Sequence, residues 1–215
     1  MIYNEEFVWL HFPKCAGTKV EQLFSRYLCK QGGVTLDSTN INVDPLVTWH
    51  DSIAEREDRD PGFKLGDRTV VCSIRRLPSW LISRYDFEFQ RSPKLPHVPG
   101  KLLEGRFLEA TGFENHADYY VKKYLPETLL KSGKVRFLRT EFFESDFKSI
   151  FGGFLDISKI PDSEYQRSVN ASKSYLPMEI KREIQSSSEK IYDKCPCWRK
   201  VEGFVYGSSL ATRDL

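Results

Sequence analysis

The stretch Phe7–Lys19 constrains the fold more than any other part of the chain. It reads Phe7-Val8-Trp9-Leu10-His11-Phe12-Pro13-Lys14-Cys15-Ala16-Gly17-Thr18-Lys19. A mostly apolar run ends at a proline, and a short loop of small and cationic residues follows. Helical spacing begins directly after the loop: Val20, Leu23, Phe24, Tyr27 and Leu28 share one face, and Gly32-Gly33 closes the pattern. Strand, loop and helix in this order predict backbone N–H groups and a helix N-terminus aimed at one point, an arrangement suited to a phosphate. Lys14 and Lys19 bring positive charge there, and the Thr18 hydroxyl either caps the helix or reaches the phosphate.

The same grammar recurs downstream. Thr69-Val70-Val71-Cys72-Ser73-Ile74 is apolar and β-branched, as in a buried parallel strand, and it stops at Arg75-Arg76-Leu77-Pro78. An apolar helix through Trp80, Leu81, Ile82, Tyr85 and Phe87 follows. Lys134–Arg139 reads as a third strand, with a turn and helix over Thr140–Phe151. Between these, Trp49–Ile53 opens a short helix with Asp51 or Ser52 as its N-cap, and Asp58–Gly62 is a charged turn. The proline-bearing segment Ser92–Gly105 reads as a loop at the rim of a site, residues 106–131 as helix, and Pro177–Asp193 as the last helix. Alternating strands and helices predict an α/β architecture with a mainly parallel sheet and right-handed crossovers. Ligands of such sheets sit at the strand ends where these cations fall.

Composition narrows the ligand. The 215 residues are expected to form a single domain over 1–215. Net charge is only +2, from 32 basic and 30 acidic side chains, so bulk charge does not suit a nucleic-acid partner. There is no run of about 18 apolar residues and no basic-then-apolar leader, so no membrane span is expected and the expected location is cytoplasmic. The five cysteines, Cys15, Cys29, Cys72, Cys195 and Cys197, are scattered and do not form a disulfide framework. Cys195-Pro196-Cys197 would need two more soft ligands to hold zinc, and no histidine lies near it in sequence, so reduced thiols are expected.

The loop is not a Walker A, which places Lys-Ser/Thr after its final glycine; here Lys14 precedes Gly17 and Thr18 precedes Lys19. The two later strands end at Arg75 and Arg139 rather than at carboxylates for a magnesium ion, which argues against a small-molecule kinase of related fold.

His11-Phe12-Pro13-Lys14-Cys15-Ala16-Gly17-Thr18 resembles the 5′-phosphosulfate loop of sulfotransferases that use 3′-phosphoadenosine 5′-phosphosulfate (PAPS), especially the carbohydrate branch, where H-I-P-K-T-G-G-T is common. Arg75 followed eight positions later by Ser83, then Arg84 and Tyr85, is similar to that family's R-[DN]-P-x-x-R-x-x-S-x-Y segment. Arg76 stands where the family has Asp or Asn, the proline has moved to Pro78, and Cys15 and Ala16 replace a Thr/Gly pair. Phe137-Leu138-Arg139-Thr140-Glu141 is similar to the family's R-x-E-D-L segment, with Phe142 in place of the second acid. Asn170-Ala171-Ser172-Lys173 resembles its late N-x-S-x loop.

The resemblance implies a P-loop-like three-layer α/β fold, a central, mainly parallel sheet flanked by helices. It implies PAPS as co-substrate, no metal, and a carbohydrate or other hydroxyl-bearing acceptor. Lys14, Cys15, Ala16, Gly17, Thr18 and Lys19 would hold the 5′ side, Arg75 and Ser83 the 3′-phosphate, and Lys173 would close over the nucleotide. Lys14 would also protonate the leaving oxygen. The acceptor needs a base. His50, beside Asp51, is the first candidate and His11 the second, with Asp51 and Glu21 also open. A non-catalytic module that binds nucleotide or glycan is the alternative.

Overall fold

The computed structural model describes residues 1–40, 42–167 and 174–207. In chain order the elements are β1 Ile2–Tyr3, β2 Phe7–Leu10, α1 Gly17–Leu23, β3 Thr35–Leu36, α2 Ile53–Arg59, β4 Thr69–Ile74 and α3 Leu77–Arg91. They continue as β5 Arg106–Leu108, β6 Glu114–His116, α4 Ala117–Tyr124, α5 Glu127–Lys131, β7 Val135–Arg139 and α6 Phe143–Phe151. The last are α7 Asp162–Gln166, α8 Met178–Ser186, α9 Ser188–Lys194 and α10 Pro196–Tyr206. They fall into two compact units, one drawn from residues 1–75 and 126–169, the other from 76–125 and 170–215.

The first unit is α/β, as the alternation predicts. Its sheet has five strands in the order β3-β1-β2-β4-β7. The central strands are parallel: Leu10 pairs with Cys72, and Ile74 with Arg139. The segments that follow β2, β4 and β7 therefore leave one edge of the sheet. At the side, β1 runs antiparallel to β2, with Ile2 opposite Trp9, and β3 antiparallel to β1, with Leu36 opposite Ile2. Those short strands bring Ile2 and Leu36 to the same edge.

All of β2 is buried, as a continuous apolar run requires. Phe7 and Trp9, two residues apart, face one core with Val71 and Leu138. Val20, Leu23 and Phe24 cover it from the first helix, and Phe143, Phe147 and Phe151 from α6. Each such side chain contributes about 1.5–3 kcal/mol by leaving water. The Trp9 indole N–H donates to the Ser73 hydroxyl at 3.0 Å, so two buried polar groups on adjacent strands satisfy each other. Beyond Leu23 the helix widens into a π turn over Phe24–Leu28, where the Cys29 N–H donates to the Phe24 carbonyl at 2.8 Å. Ser52 caps α2 in a capping box with Glu55: its hydroxyl accepts from the Glu55 N–H at 3.3 Å, and its own N–H donates to the Glu55 carboxylate at 2.8 Å.

The second unit holds α3, the β5–β6 hairpin, α4 and the C-terminal helices. Trp80 of α3 packs on Trp198 of α10, ring centroids 4.6 Å apart, and on Phe107 at 5.6 Å. Residues 106–131 depart from the helix their spacing predicts. Gly112 takes a left-handed turn (φ 87°), Arg106 pairs with His116, and helix begins only at Ala117. The aromatic-rich stretch carries the left-handed Gly112 between Phe107 and Ala117, and that turn folds its first part into a ribbon. The helix expected over Pro177–Asp193 breaks at Ser187 into α8 and α9, and α10 follows with Pro196 at its first position. Within Ser92–Gly105, Pro99–Glu104 forms a 3-10 turn.

Candidate functional site

At the sheet edge, the chain turns sharply after β2. Lys14 (φ 62°) and Ala16 (φ 61°) both adopt the left-handed conformation, which costs a non-glycine residue about 1–2 kcal/mol. Alternation of this kind turns successive N–H groups toward one concavity. Ala16 is the N-cap residue of α1 and offers no side-chain cap. The buried Cys15 thiol anchors the loop, and Thr18 is exposed on the first turn. Gly17 is required by packing rather than by its φ, because a Cβ there would overlap the His11 imidazole.

His11 ties three neighbours together. Its Nδ1 lies 2.7 Å from the Glu21 carboxylate, and its ring stacks on that of His50 with centroids 4.4 Å apart. His50 Nδ1 is 3.1 Å from the His11 carbonyl. A carbonyl only accepts, so Nδ1 carries the proton there, and the lone pair of neutral His50 is on Nε2. His11 presents Nε2 to the backbone of Gly17.

Asp51 is buried and pairs with Arg56 at 3.4 Å and Arg59 at 3.3 Å. Burial raises its pKa despite those cations. Arg56 also binds Asp37. Lys19 turns its ammonium away from the loop: it donates to the Tyr165 carbonyl and lies 4.5 Å above the Phe143 ring, and burial lowers its pKa.

Arg75 is the residue after β4, half-buried at the same sheet edge as the loop. Among the described residues its guanidinium has no hydrogen-bond or ion-pair partner. Arg139, at the end of β7, is instead locked to Asp146, Nε to Oδ2 at 2.8 Å and Nη2 to Oδ1 at 2.7 Å. The structure thus brings together Lys14 to Thr18, His11, Glu21, His50 and Arg75 within one unit. Ser83 lies half-buried on α3 in the other unit. Lys173 and the rest of Asn170-Ala171-Ser172-Lys173 lie outside the described residues.

One cluster escaped the sequence reading because its members are far apart in the chain. His116, Asp118 and Cys195 converge, their ligand-type atoms all within 4.8 Å. The hydrogen bonds assign it a structural task. Asp118 Oδ2 and Oδ1 accept from the Cys197 and Trp198 N–H groups at 3.0 and 2.8 Å, capping α10. His116 Nδ1 accepts from the Asp118 N–H at 3.2 Å, so the ring proton is on Nε2, 3.9 Å from Cys195 Sγ. A metal at Nε2 would move that proton to Nδ1 and break the cap. Burial pushes the Cys195 thiol up to about 12, which keeps it neutral.

No protein-family model, no curated protein and no solved structure matches the chain. Among the described residues no helix is long and apolar enough to cross a membrane.

Proposed function

We propose that the protein is a PAPS-dependent sulfotransferase with a P-loop-like three-layer fold that sulfates a hydroxyl of a carbohydrate or related acceptor. One observation carries the reading: parallel pairing of β2 and β4 sets a strained, cation-bearing loop and an arginine with no partner among the described residues, Arg75, at one edge of one sheet. Two anion-binding sites are what a 3′,5′-bisphosphate nucleotide needs.

In this scheme the sulfur–oxygen bond to the bridging oxygen of the phosphosulfate breaks as a new one forms to the acceptor oxygen. The acceptor proton passes to His50 Nε2. Negative charge grows on the phosphate, where Lys14 and the loop N–H groups meet it and Lys14 supplies the proton. Arg75 grips the 3′-phosphate with paired N–H donors. No step requires a metal ion.

Calorimetry with the product nucleotide, 3′-phosphoadenosine 5′-phosphate, tests the reading. Binding is expected, with AMP far weaker for want of the 3′-phosphate, and Arg75→Ala should erase most of that preference. Absence of binding, or equal binding of AMP, rejects the reading. Transfer of labelled sulfate separates an enzyme from a binding module.

A further inference from the structure

The first unit contains a cavity of about 390 Å³ beside the loop. One wall is the outer face of the first helix: Thr18, Glu21, Gln22 and Ser25 recur at helical spacing. Ile2 and Leu36 form an apolar floor where β1 and β3 reach the edge shared with the phosphate loop. Asp37, Ser38 and Thr39 form the opposite wall. The volume is at the lower end of the roughly 300–1,000 Å³ typical of small-molecule sites.

We infer that this cavity is the acceptor subsite, and that it takes a neutral, hydroxyl-rich saccharide rather than a sulfated or uronate-bearing one. The inference rests on the sulfotransferase reading. Its first support is continuity. Thr18 belongs both to the cavity and to the first turn after the loop, and Glu21 belongs both to the cavity and to the His11–His50 stack. An acceptor seated here lies against the groups that would carry out transfer.

The second support is the chemistry of the walls. Their polar side chains are uncharged or acidic, with no lysine or arginine among them, and the one cation in the wall, the Met1 α-ammonium, is held by Asp37 at 2.8 Å. Glu21 is balanced by His11, and Asp37 by Arg56, so those carboxylates are already committed. An anionic sugar would find the Met1 ammonium already engaged by Asp37 and no lysine or arginine side chain in the lining to pair with. Hydroxyl groups find Gln22, Ser25, Ser38 and Thr39, and the apolar floor suits the C–H face of a pyranose ring.

The experiment uses the full chain, labelled PAPS, and neutral disaccharides alongside the same disaccharides bearing one uronate ring. The neutral set should have kcat/KM higher by about tenfold or more. Ser25→Trp, on an exposed helical position, fills the cavity and should raise acceptor KM about tenfold with unchanged affinity for 3′-phosphoadenosine 5′-phosphate. Gln22→Arg should shift preference toward the uronates, a change that mere structural damage would not produce. Equal use of both sets, a wild-type KM in Ser25→Trp, or no transfer to either set while the nucleotide binds, each overturns the inference. Failure of the wild-type protein to bind the nucleotide rejects the underlying reaction instead.

Discussion

Buried acids in the helical unit and acidic groups in the sheet unit take different partners. Asp86, Asp118 and Glu202 accept from backbone, the N–H groups of Tyr175 and Leu176, of Cys197 and Trp198, and of Leu77, while Glu88 accepts from the Ala110 N–H and also pairs with Arg84 at 2.8 Å. In the sheet unit, Asp51 pairs with guanidinium groups and Glu21 with an imidazole. A carboxylate spent on a helix end is fixed by the fold, since removing it orphans buried N–H groups. Charges paired to side chains can be re-partnered when a ligand arrives. On the proposed function the difference separates a part of the molecule built for stability from the part that would carry out transfer, and it can be broken by substitution on either side.

The largest effect is expected at the loop. If the proposed transfer is right, Lys14→Ala removes the cation that would meet the leaving oxygen and should lower turnover by about a thousandfold, near 4 kcal/mol of transition-state stabilisation. Nucleotide affinity should fall much less, because the loop N–H groups remain. Single-turnover kinetics with calorimetry distinguishes the two; near-normal turnover would place Lys14 outside the chemistry.

Asp118→Ala is the matching experiment in the helical unit. It strips acceptors from the N–H groups of Cys197 and Trp198, at about 1–3 kcal/mol for each buried donor left unpaired. Denaturant unfolding should show that loss while the nucleotide still binds the folded protein with its normal affinity. A specific loss of binding at full stability would erase the distinction between the units.

A third experiment works inside the sheet unit. Gly17→Ala sets a methyl group into the His11 ring and should cost about 1–3 kcal/mol. Adding His11→Ala vacates that space, so the double variant should recover part of the loss. A double-mutant cycle with no coupling would mean that His11 does not hold the loop in this way.

Much of the sheet unit was legible in the residues, for physical reasons. β2 and β4 are buried parallel strands, so each reads as a short, mostly apolar run, whereas β7 is interrupted by the exposed Arg136 and is legible from Val135, Phe137 and Leu138. The cap of α2 was legible only as Asp51 or Ser52, and the capping box with Glu55 settles it on Ser52. β1 and β3 were not, since two-residue strands have no period to detect. The departure of Lys19 from the loop was also hidden, because its partners, Tyr165 and Phe143, lie more than a hundred residues away. The same distance concealed the caps of the helical unit: nothing local to Asp118 announces α10, and nothing near Glu202 announces α3.

Glu202 gives the smallest and most selective test of the comparison, because there the backbone-capping arrangement conflicts with solvation. It is fully buried, accepts from the Leu77 N–H and the Tyr192 hydroxyl, and burial raises its pKa from 4.5 to about 7. The unfolded chain releases this proton near 4.5 while the folded chain keeps it until about 7, so the folded state binds more protons across that window. Stability contributed by this site therefore falls as pH rises from 4.5 to about 7, and the full cost persists above it. Glu202→Gln keeps an oxygen for the Leu77 N–H and removes the titration. Relative to wild type, the variant should gain stability on going from about pH 5 to about pH 8. Unfolding free energies at both values check this, and a wild-type-minus-variant difference that does not change with pH would mean that Glu202 caps α3 as an already ionised group.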